Sequence, residues 1–433
     1  ETITIPNAKK IRKVLDGIKA IDPACGSGAY LLGLLQEIIK IHENLQTRDH
    51  EFTRSKYDMK LHIISRTIFG VDLDPFATQI AMLRLWLSLA VESEKAIQLP
   101  NLDFNIETGD SLLAPDPSRI DWFQSDLYNR ADKLAEKKEI FLSTKENIEA
   151  LRREIRVEEA DIRAKLREQN DYPDSIDFRI HFAAVFSKNG GFDLVLANPP
   201  YVRHEEIPED IKNDLFKNYS VGEIQPVEKK SDLYCYFYLR AYQLLRPNGT
   251  QIFICSNTWL DVGFGIPLQE FLLTKCSVEL IMSSEYERQF SSAAVNTIIS
   301  KITKKIPSQT TNINFMNLLS DFENATRNFD PTLIRLKQIG QTDLLNAGKQ
   351  EGVGYVGNKL SLHCHAPDEY FNLLEQEFMV PLKELATIRR GITSGLNSFF
   401  YIERSKAEDL QIEPEFLKPL LKSPSECTTY KVD

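Results

Sequence analysis

The sequence predicts an α/β fold built on a doubly wound, mostly parallel sheet. Three observations predict it. Short apolar runs alternate with stretches of helical periodicity, the order that places helices on both faces of a parallel sheet. A glycine turn, "PACGSG" (residues 23–28), stands between the first such run and the first strongly amphipathic stretch. Three of the runs lead into an aspartate, Asp22, Asp72 and Asp110, and a fourth into Asn198. In open α/β sheets the carboxyl ends of the strands are where ligands bind.

Taken in order, "IKAID" reads as a strand, and "AYLLGLLQEIIKI" has the i, i+3, i+4 apolar spacing of a helix. A second unit follows, with a strand inside "HIISRTIFGVDLD" and a strongly apolar helix in "PFATQIAMLRLWLSLAV". "DFNIETGD", "FDLVLANPP" and "TQIFICSN" each read as a short strand with a polar end. The rhythm breaks between Pro115 and Gly190, where the sequence turns charged and helical. Leu127, Leu134, Phe141, Ile148, Ile155 and Ile162 recur every seven residues, but the second seam position is mostly Lys, Arg and Glu. "STKE" at Ser143–Glu146 reads as a capping box, so this inserted arm is either one long helix or two antiparallel helices. Its expected role is structural, with contact to DNA or a partner as the alternative. The expected divisions are 1–115 and 185–306 for the two parts of the main domain, 116–184 for the arm, 307–380 for a connecting region, and 381–433 for the start of a further domain. "GKQEGVGYVGNK" (348–359) carries the linker signal, and order resumes at "MVPLKELATIRRGITSGLNSFFYI".

Composition narrows the class. A chain of 433 residues with 42% hydrophobic and 26% charged residues fits a globular protein with a large core. It has no run of 18 apolar residues to span a membrane. Six scattered cysteines without a CxxC pair suggest a reduced, cytoplasmic setting. "HCH" at His363–His365 is the one metal-like cluster; read as a strand, its neighbours point to opposite faces, and no metal is expected. The net charge of −10 argues against a surface coated for nucleic acid, yet it leaves room for a local basic cleft. Arg203, His204, Lys229, Lys230, Arg389 and Arg390 are candidates for such a cleft, although solvated surface charge explains most of them. The chain lacks an initial Met and ends in mid-pattern at "TTYKVD", so it is expected to be a piece of a longer protein.

The motifs supply the chemistry. In "DPACGSGAY" (22–30), Gly26 and Gly28 allow a tight turn and a close approach of backbone to a ligand, just before a helix N-terminus. The turn lacks the third glycine of a dinucleotide fingerprint and the GK[ST] of a P-loop, which favours a smaller ligand. Asp72 in "GVDLD" stands where an acid can bind both hydroxyls of a ribose, whereas Asp74, directly before Pro75, is expected to precede or cap the helix. Asp110 in "TGD" can accept from an exocyclic amine. One strand-end acid is unremarkable, but three in succession describe a site for an adenosine with an amino-acid tail.

"ANPPYVR" follows the fourth strand. Two prolines end the strand and fix the turn, because they lack N–H and restrict φ. A nitrogen on a planar base is a poor nucleophile, since its lone pair is delocalised. Two rigid acceptors, the Asn198 side-chain oxygen and the Pro199 carbonyl, can draw such an amine toward tetrahedral geometry. Tyr201 offers a face for an extracted base. The bland alternative for this stretch is a proline-rich turn.

These motifs resemble those of the N6-adenine DNA methyltransferases of restriction–modification systems, and in particular the large Eco57I-type enzymes, in the order where the cofactor motif precedes NPPY. The resemblance covers residues 11–115, 176–306 and, more weakly, 381–433. It implies a Rossmann-like methyltransferase fold, S-adenosylmethionine as cofactor and double-stranded DNA as substrate. It implies a cofactor site formed by Asp22, Ala24, Cys25, Gly26, Gly28, Asp72, Leu73, Asp110, Ser111, Asn198, Pro200 and Phe237, with Asp22 near the methionine amino group and Phe237 of "SDLYCYF" on the adenine. It assigns catalysis to Asn198, Pro199 and Tyr201, and stacking of a flipped base to Tyr201 and to Phe290 of "EYERQFSSAAVNTII". "RRGITSGLNSFFYI" resembles the start of a target-recognition domain. A nuclease or specificity region is expected in the same longer chain or in a partner subunit. A further family motif before "DPACGSG" has no clear match in residues 1–21 and is expected upstream. A nuclease-like spacing, Pro115–Asp116 with Glu136–Lys138, lies in the heptad stretch rather than on strands and is read as chance. Methylation of another planar nitrogen, in RNA or a protein glutamine, and a non-catalytic DNA-recognition subunit are the competing readings.

Overall fold

A computed structural model of the chain describes residues 5–47, 54–92, 101–117, 125–144, 147–169, 176–219, 225–285, 296–320, 330–374, 376, 378–380, 382–387 and 401–418. The chain divides into two compact units, Glu1–Pro367 and Asp368–Asp433. Among the described residues, no helix is long and apolar enough to cross a membrane.

The first unit is organised by one nine-stranded sheet. Its first five strands are β1 (Ala20–Asp22), β2 (Ile68–Asp72), β3 (Ile106–Thr108), β4 (Phe192–Ala197) and β5 (Leu245–Ser256), all mutually parallel where they pair. β6 (Ser277–Ser284), β7 (Thr297–Thr303), β8 (Asn312–Leu318) and β9 (Ile334–Gly340) complete the order 3-2-1-4-5-7-6-8-9. β7 runs antiparallel between β5 and β6, so the sheet is mostly parallel rather than wholly so. Crossover helices cover its faces: α1 (Ile5–Gly17), α2 (Ala29–Gln46), α3 (Lys56–Arg66) and α4 (Pro75–Ala90) accompany the first strands. With both faces covered, β1 is buried along its whole length and β2 nearly so. The order reverses between β1 and β4, and that switch point opens the crevice where ligands enter such sheets.

Residues 312–318 and 334–340, which the sequence places in a connecting region, instead form β8 and β9. β8 hides Ile313, Phe315 and Leu318, so it belongs to the main core. "HCH" also differs from its reading: it lies in a short helix, Leu362–His365, with His363 against the Phe315 ring.

The inserted arm is two helices, α5 (Ser125–Ser143) and α6 (Ile148–Gln169), not one. Leu134, Phe141, Ile155 and Ile162 of the heptad series are fully buried and form the arm's own core. The side chain of Leu127 and all of Glu146, the last residue of the expected capping box, lie outside the described residues. Some polar residues of the arm pair across its two helices, as Arg130 does with Glu158 and Lys137 with Glu154, and others face the sheet edge. Arg152 pairs with Asp103 at 2.8 Å and Arg156 with Glu107 at 3.1 Å, while the Arg156 guanidinium lies 4.6 Å from the centre of the Phe104 ring. Lys138 and Glu159, both buried, pair at 2.6 Å. The arm therefore covers β3, an edge strand that would otherwise expose unpaired backbone groups. Two short helices, α7 (Phe178–His181) and α8 (Ala183–Asn189), then lead into β4. After β4 come α9 (Glu209–Tyr219) and α10 (Leu233–Leu244), which enters β5 directly.

The second unit begins thirteen residues before the expected start at 381. Its described parts include helices at Asp368–Leu374, Leu382–Leu385 and Arg404–Asp409. Residues 388–400 of its motif stretch lie outside the described residues.

Candidate active site

The glycine turn leaves the end of β1 and opens α2. Gly28 caps that helix with φ +79, in the left-handed region where L side chains are strained. A Cβ there would also stand 2.9 Å from the Cβ of Ala81 on α4, so helix packing and dihedral both require glycine. Gly26 has φ +50, and a Cβ on it would meet nothing within 4 Å, which leaves its backbone open to a ligand. The turn is tied to β2 by Cys25 N–H donating to the Val71 carbonyl at 2.9 Å and Gly26 N–H donating to Asp72 Oδ2 at 2.7 Å. Arg84 on α4 donates to the Ser27 carbonyl and hydroxyl, at 3.1 and 2.8 Å.

Three acids stand at three strand ends as the sequence predicts, in different states. Asp22 is 1% exposed and accepts from Ala24 N–H at 2.9 Å. Burial, with the Asp72 charge nearby adding to it, pushes its carboxyl up to about 7. Its Oδ2 has no hydrogen-bond partner among the described residues, so it can receive a cationic group. Asp72 is half-buried and already accepts from Gly26 N–H and from Asp74 N–H at 3.0 Å. Asp74 does cap α4, accepting from Phe76 N–H at 2.8 Å. Leu73 beside it is 70% exposed and Phe76 is 67% exposed, an apolar pair at the lip suited to a flat ligand. Asp110 spends Oδ1 on Leu112 and Leu113 N–H, at 2.8 and 2.9 Å, and keeps Oδ2. Ser111 fastens this third loop to the first by donating to the Pro23 carbonyl at 2.6 Å. Cys25 is a buried thiol whose ionisation burial opposes, so it acts as packing rather than as a nucleophile.

The acceptor side starts at the end of β4, the strand next to β1 across the switch point. Asn198 is half-buried, Pro199 buried and Pro200 exposed. Tyr201 packs its ring against the main core and donates its hydroxyl to Asn198 Oδ1 at 2.7 Å. Burial is the first cause holding that phenol un-ionised. Tyr30, the last residue of "DPACGSGAY", is near enough to Asp22 and Tyr201 to interact electrostatically with both, so it links the two sides. Phe237, which the resemblance puts on an adenine, is 6% exposed and sits within the main core. Phe290 lies outside the described residues.

Sequence reasoning missed one residue of α10, Arg240, and the residue that caps it, Asp232. Arg240 is 1% exposed and donates to the carbonyls of Leu112, Ala114 and Pro115, fixing the loop after Asp110. Its guanidinium also lies 5.3 Å from the Tyr219 ring, and Tyr219 itself donates to the Leu112 carbonyl. Asp232 accepts from His204 N–H, beyond Tyr201. An arginine in an otherwise aromatic helix was a usable signal. Asp232 carried none, because its partner is far away in sequence.

With this geometry in view, residues 66–290, just over half of the chain, match the model of the Eco57I restriction-modification methylases. The chain belongs to that family. RM.MjaORFECS2P of Methanocaldococcus jannaschii is 40% identical over 105 residues, 23% of this chain and 9% of that protein. The type II methyltransferase M.XhoI of Xanthomonas vasicola is 28% identical over 239 residues, 54% of this chain and 41% of that protein. The adenine-specific methyltransferase PglX of Lacticaseibacillus casei is 22% identical over 272 residues, 60% of this chain and 21% of that protein. The chain thus spans less than half the length of each of these relatives. Its Rossmann-like, mostly parallel sheet is the fold that membership implies.

Proposed function

We propose that the protein transfers a methyl group from S-adenosylmethionine to N6 of adenine in double-stranded DNA. The observation that carries this reading is the pairing, on adjacent strands at the switch point, of an acid-lined glycine turn with a rigid Asn198–Tyr201 segment. The donor set fits the cofactor. Asp22 has a free oxygen for the amino group, the Gly26 backbone is open, Asp72 stands at the ribose position, and Asp110 keeps one oxygen for an amine. Bound there, S-adenosylmethionine supplies a methyl group on a positive sulfonium, whose sulfur keeps the bonding pair when a nitrogen lone pair displaces it.

The chain's own residues prepare that nitrogen. Asn198 Oδ1 accepts from Tyr201, and its second lone pair is left for the amine of the base. The Pro199 carbonyl is the second acceptor, held in place because proline fixes φ. Together they pull both N–H bonds out of the ring plane and free the lone pair toward the methyl group. The Tyr201 ring stacks on the extruded base, and the surplus proton leaves to water. Adenine is favoured over other planar nitrogens because a relative carries the description adenine-specific and because the NPPY-type segment suits an exocyclic amine. The longer protein is expected to join this region to a recognition domain, and to a nuclease or specificity region in the same chain or a partner.

The test is transfer from tritiated S-adenosylmethionine to unmethylated DNA, RNA and protein acceptors, followed by nucleoside analysis. Label in N6-methyladenine of DNA is expected. Label confined to RNA or to protein glutamine overturns the choice of substrate, and cofactor binding without transfer to any acceptor overturns the enzyme reading.

A further inference from the structure

We propose that Asp232 is a positioning residue for the transfer: its carboxylate clamps residues 201–204, so that the Asn198–Tyr201 segment meets the acceptor amine in one geometry. The inference rests on the function proposed above.

Asp232 occupies the cap position of α10, with extended backbone at φ −66, ψ 155, and its carbonyl accepts from Cys235 N–H at 3.0 Å, yet its side chain makes no capping hydrogen bond to the helix. An aspartate there normally accepts an N–H from the first turn, which stabilises the helix. Here Oδ1 reaches back 28 residues and accepts from His204 N–H at 3.0 Å. The adjacent Leu233 donates its N–H to the Val202 carbonyl, also at 3.0 Å. The segment after Tyr201 is therefore held at two points, 202 and 204, by two consecutive residues at the start of α10. One of the helix's unpaired N–H groups is satisfied by the clamped segment rather than by a cap.

Several observations show that this acceptor oxygen is held in place. Asp232 is 9% exposed, and burying a carboxylate is costly unless its lone pairs are used. Burial pushes its carboxyl up, and the His204 N–H and imidazole oppose that push. His204 Nδ1 lies 3.6 Å from Asp232 Oδ1 and 3.2 Å from Glu205 Oε2. Tyr234, the second residue of α10, bonds Thr258 at 2.6 Å, so the start of the helix is itself anchored just beyond the end of β5. The clamp thus runs from a fixed strand end, through α10, to the segment that carries the acceptor-side ring. Between that ring and β4 stand Pro199 and Pro200, which leave little freedom to absorb a displacement. Among the described residues, the other holds on the far end are the Leu233–Val202 bond, the Tyr201 hydroxyl, and the packing of Tyr201 and Val202 against the core.

The test compares wild type, Asp232→Ala and Asp232→Asn in single-turnover methylation of unmethylated plasmid DNA, cofactor titration, melting curves, and hydrogen–deuterium exchange of peptides covering 192–198 and 199–206. Asp232→Ala is expected to slow transfer on the order of 10- to 100-fold, the scale of a small misplacement. Cofactor affinity should stay within about twofold, exchange over 199–206 should rise, and β4 should keep its protection. Asp232→Asn keeps an acceptor oxygen and is expected to stay much nearer to wild type. Wild-type transfer by Asp232→Ala overturns the role, as does unchanged exchange over 199–206. Equal slowing by both variants also overturns it. A wild type that methylates no DNA overturns the proposed function instead, and the exchange comparison then decides the clamp on its own.

Discussion

The two sides of the cleft are fastened in opposite ways. On the cofactor side, charged carboxylates hold backbone N–H groups of neighbouring loops, as Asp72 does for Gly26 and Asp74 and Asp110 does for Leu112 and Leu113. Each acid is a scaffold and, in the function proposed, a ligand site as well. On the acceptor side the side-chain acceptor is a neutral amide, and rigidity comes from two prolines, one phenol hydroxyl and a distant helix. The difference follows from the partners. A cationic sulfonium and an amino group are stabilised by nearby negative charge. A base amine must be polarised without a charge that would bind it equally well before and during transfer. Substitutions on the two sides should therefore separate cleanly into effects on affinity and effects on rate.

The largest effect expected is on the acceptor side. Asn198→Ala should lower the single-turnover rate by about 10²–10³-fold, the scale of losing one preorganised polar group at a reacting centre. Calorimetric titration should show nearly unchanged cofactor affinity. If affinity collapses with the rate, the two sides are not separable and Asn198 belongs to the cofactor. The mirror substitution, Asp72→Ala, should weaken cofactor binding by about 1.5–3 kcal/mol, as for a charge-assisted hydrogen bond, with the rate at saturation largely kept. Because Asp72 also holds Gly26, Asp72→Asn should recover part of the loss; an Asn variant as weak as the Ala variant assigns the whole effect to charge.

This asymmetry also decides what could be read from sequence. The cofactor side is local: each acid ends its own strand and most of its partners are two or three residues away, so Asp22, Asp72 and Asp110 were legible from spacing alone. The tie from Gly26 to Asp72, 46 residues apart, was not. On the acceptor side Asn198 and Tyr201 were legible because prolines advertise a fixed turn. Asp232 and Arg240 act on residues 28 and more than 120 positions away, and no periodicity encodes such pairs. Strands β8 and β9 escaped for a related reason. β9 is an edge strand with alternating charges and little burial, so it lacks the apolar run that marked the central strands. Among the arm's alternatives, two helices prevail: the polar seam residues Arg130 and Lys137 pair across the arm with Glu158 and Glu154, while Arg152 and Arg156 reach Asp103 and Glu107 at the sheet edge.

A smaller effect, about tenfold, is expected from pH. Burial holds Asp22 protonated up to about pH 7 in the free protein. An acid raised in the folded state contributes stability that is fully present below its unfolded value and is lost as pH rises through its folded value. Between about pH 4 and 7, therefore, Asp22 makes the free fold less stable as pH increases. A cationic amino group wants the ionised form, so cofactor affinity should rise about tenfold between pH 6 and 8. Glu107, pushed up to about 7, and Asp177, pushed up to about 6, bend the stability curve in the same direction. The difference between wild type and Asp22→Asn isolates the residue. The variant should melt higher at pH 8, bind cofactor more weakly, and show a flat affinity profile. A wild-type affinity independent of pH from 6 to 8 places the amino group elsewhere.

The smallest effect expected concerns a single hydroxyl. Tyr201 has two roles in the proposed function that Phe can separate: its ring is proposed to stack on the base, and its O–H donates to Asn198 Oδ1 at 2.7 Å. That bond does not compete with the substrate, because an amide oxygen has two lone pairs. It instead fixes which end of the amide faces the cleft, since a flipped amide would present N–H donors to the base amine. Tyr201→Phe should then cost about 0.5–1.5 kcal/mol, the net value of one hydrogen bond and a several-fold loss of rate. Tyr201→Ala should cost a further 1–3 kcal/mol or so from lost stacking. A mismatched target adenine, which is easier to extrude, should relieve the Ala variant more than the Phe variant. If the hydroxyl instead blocks the amide until a base displaces it, Tyr201→Phe will be faster than wild type on matched duplex. Single-turnover rates of the three proteins on matched and mismatched duplexes distinguish these outcomes, and a Phe variant as slow as the Ala variant on both would remove stacking from the account of Tyr201.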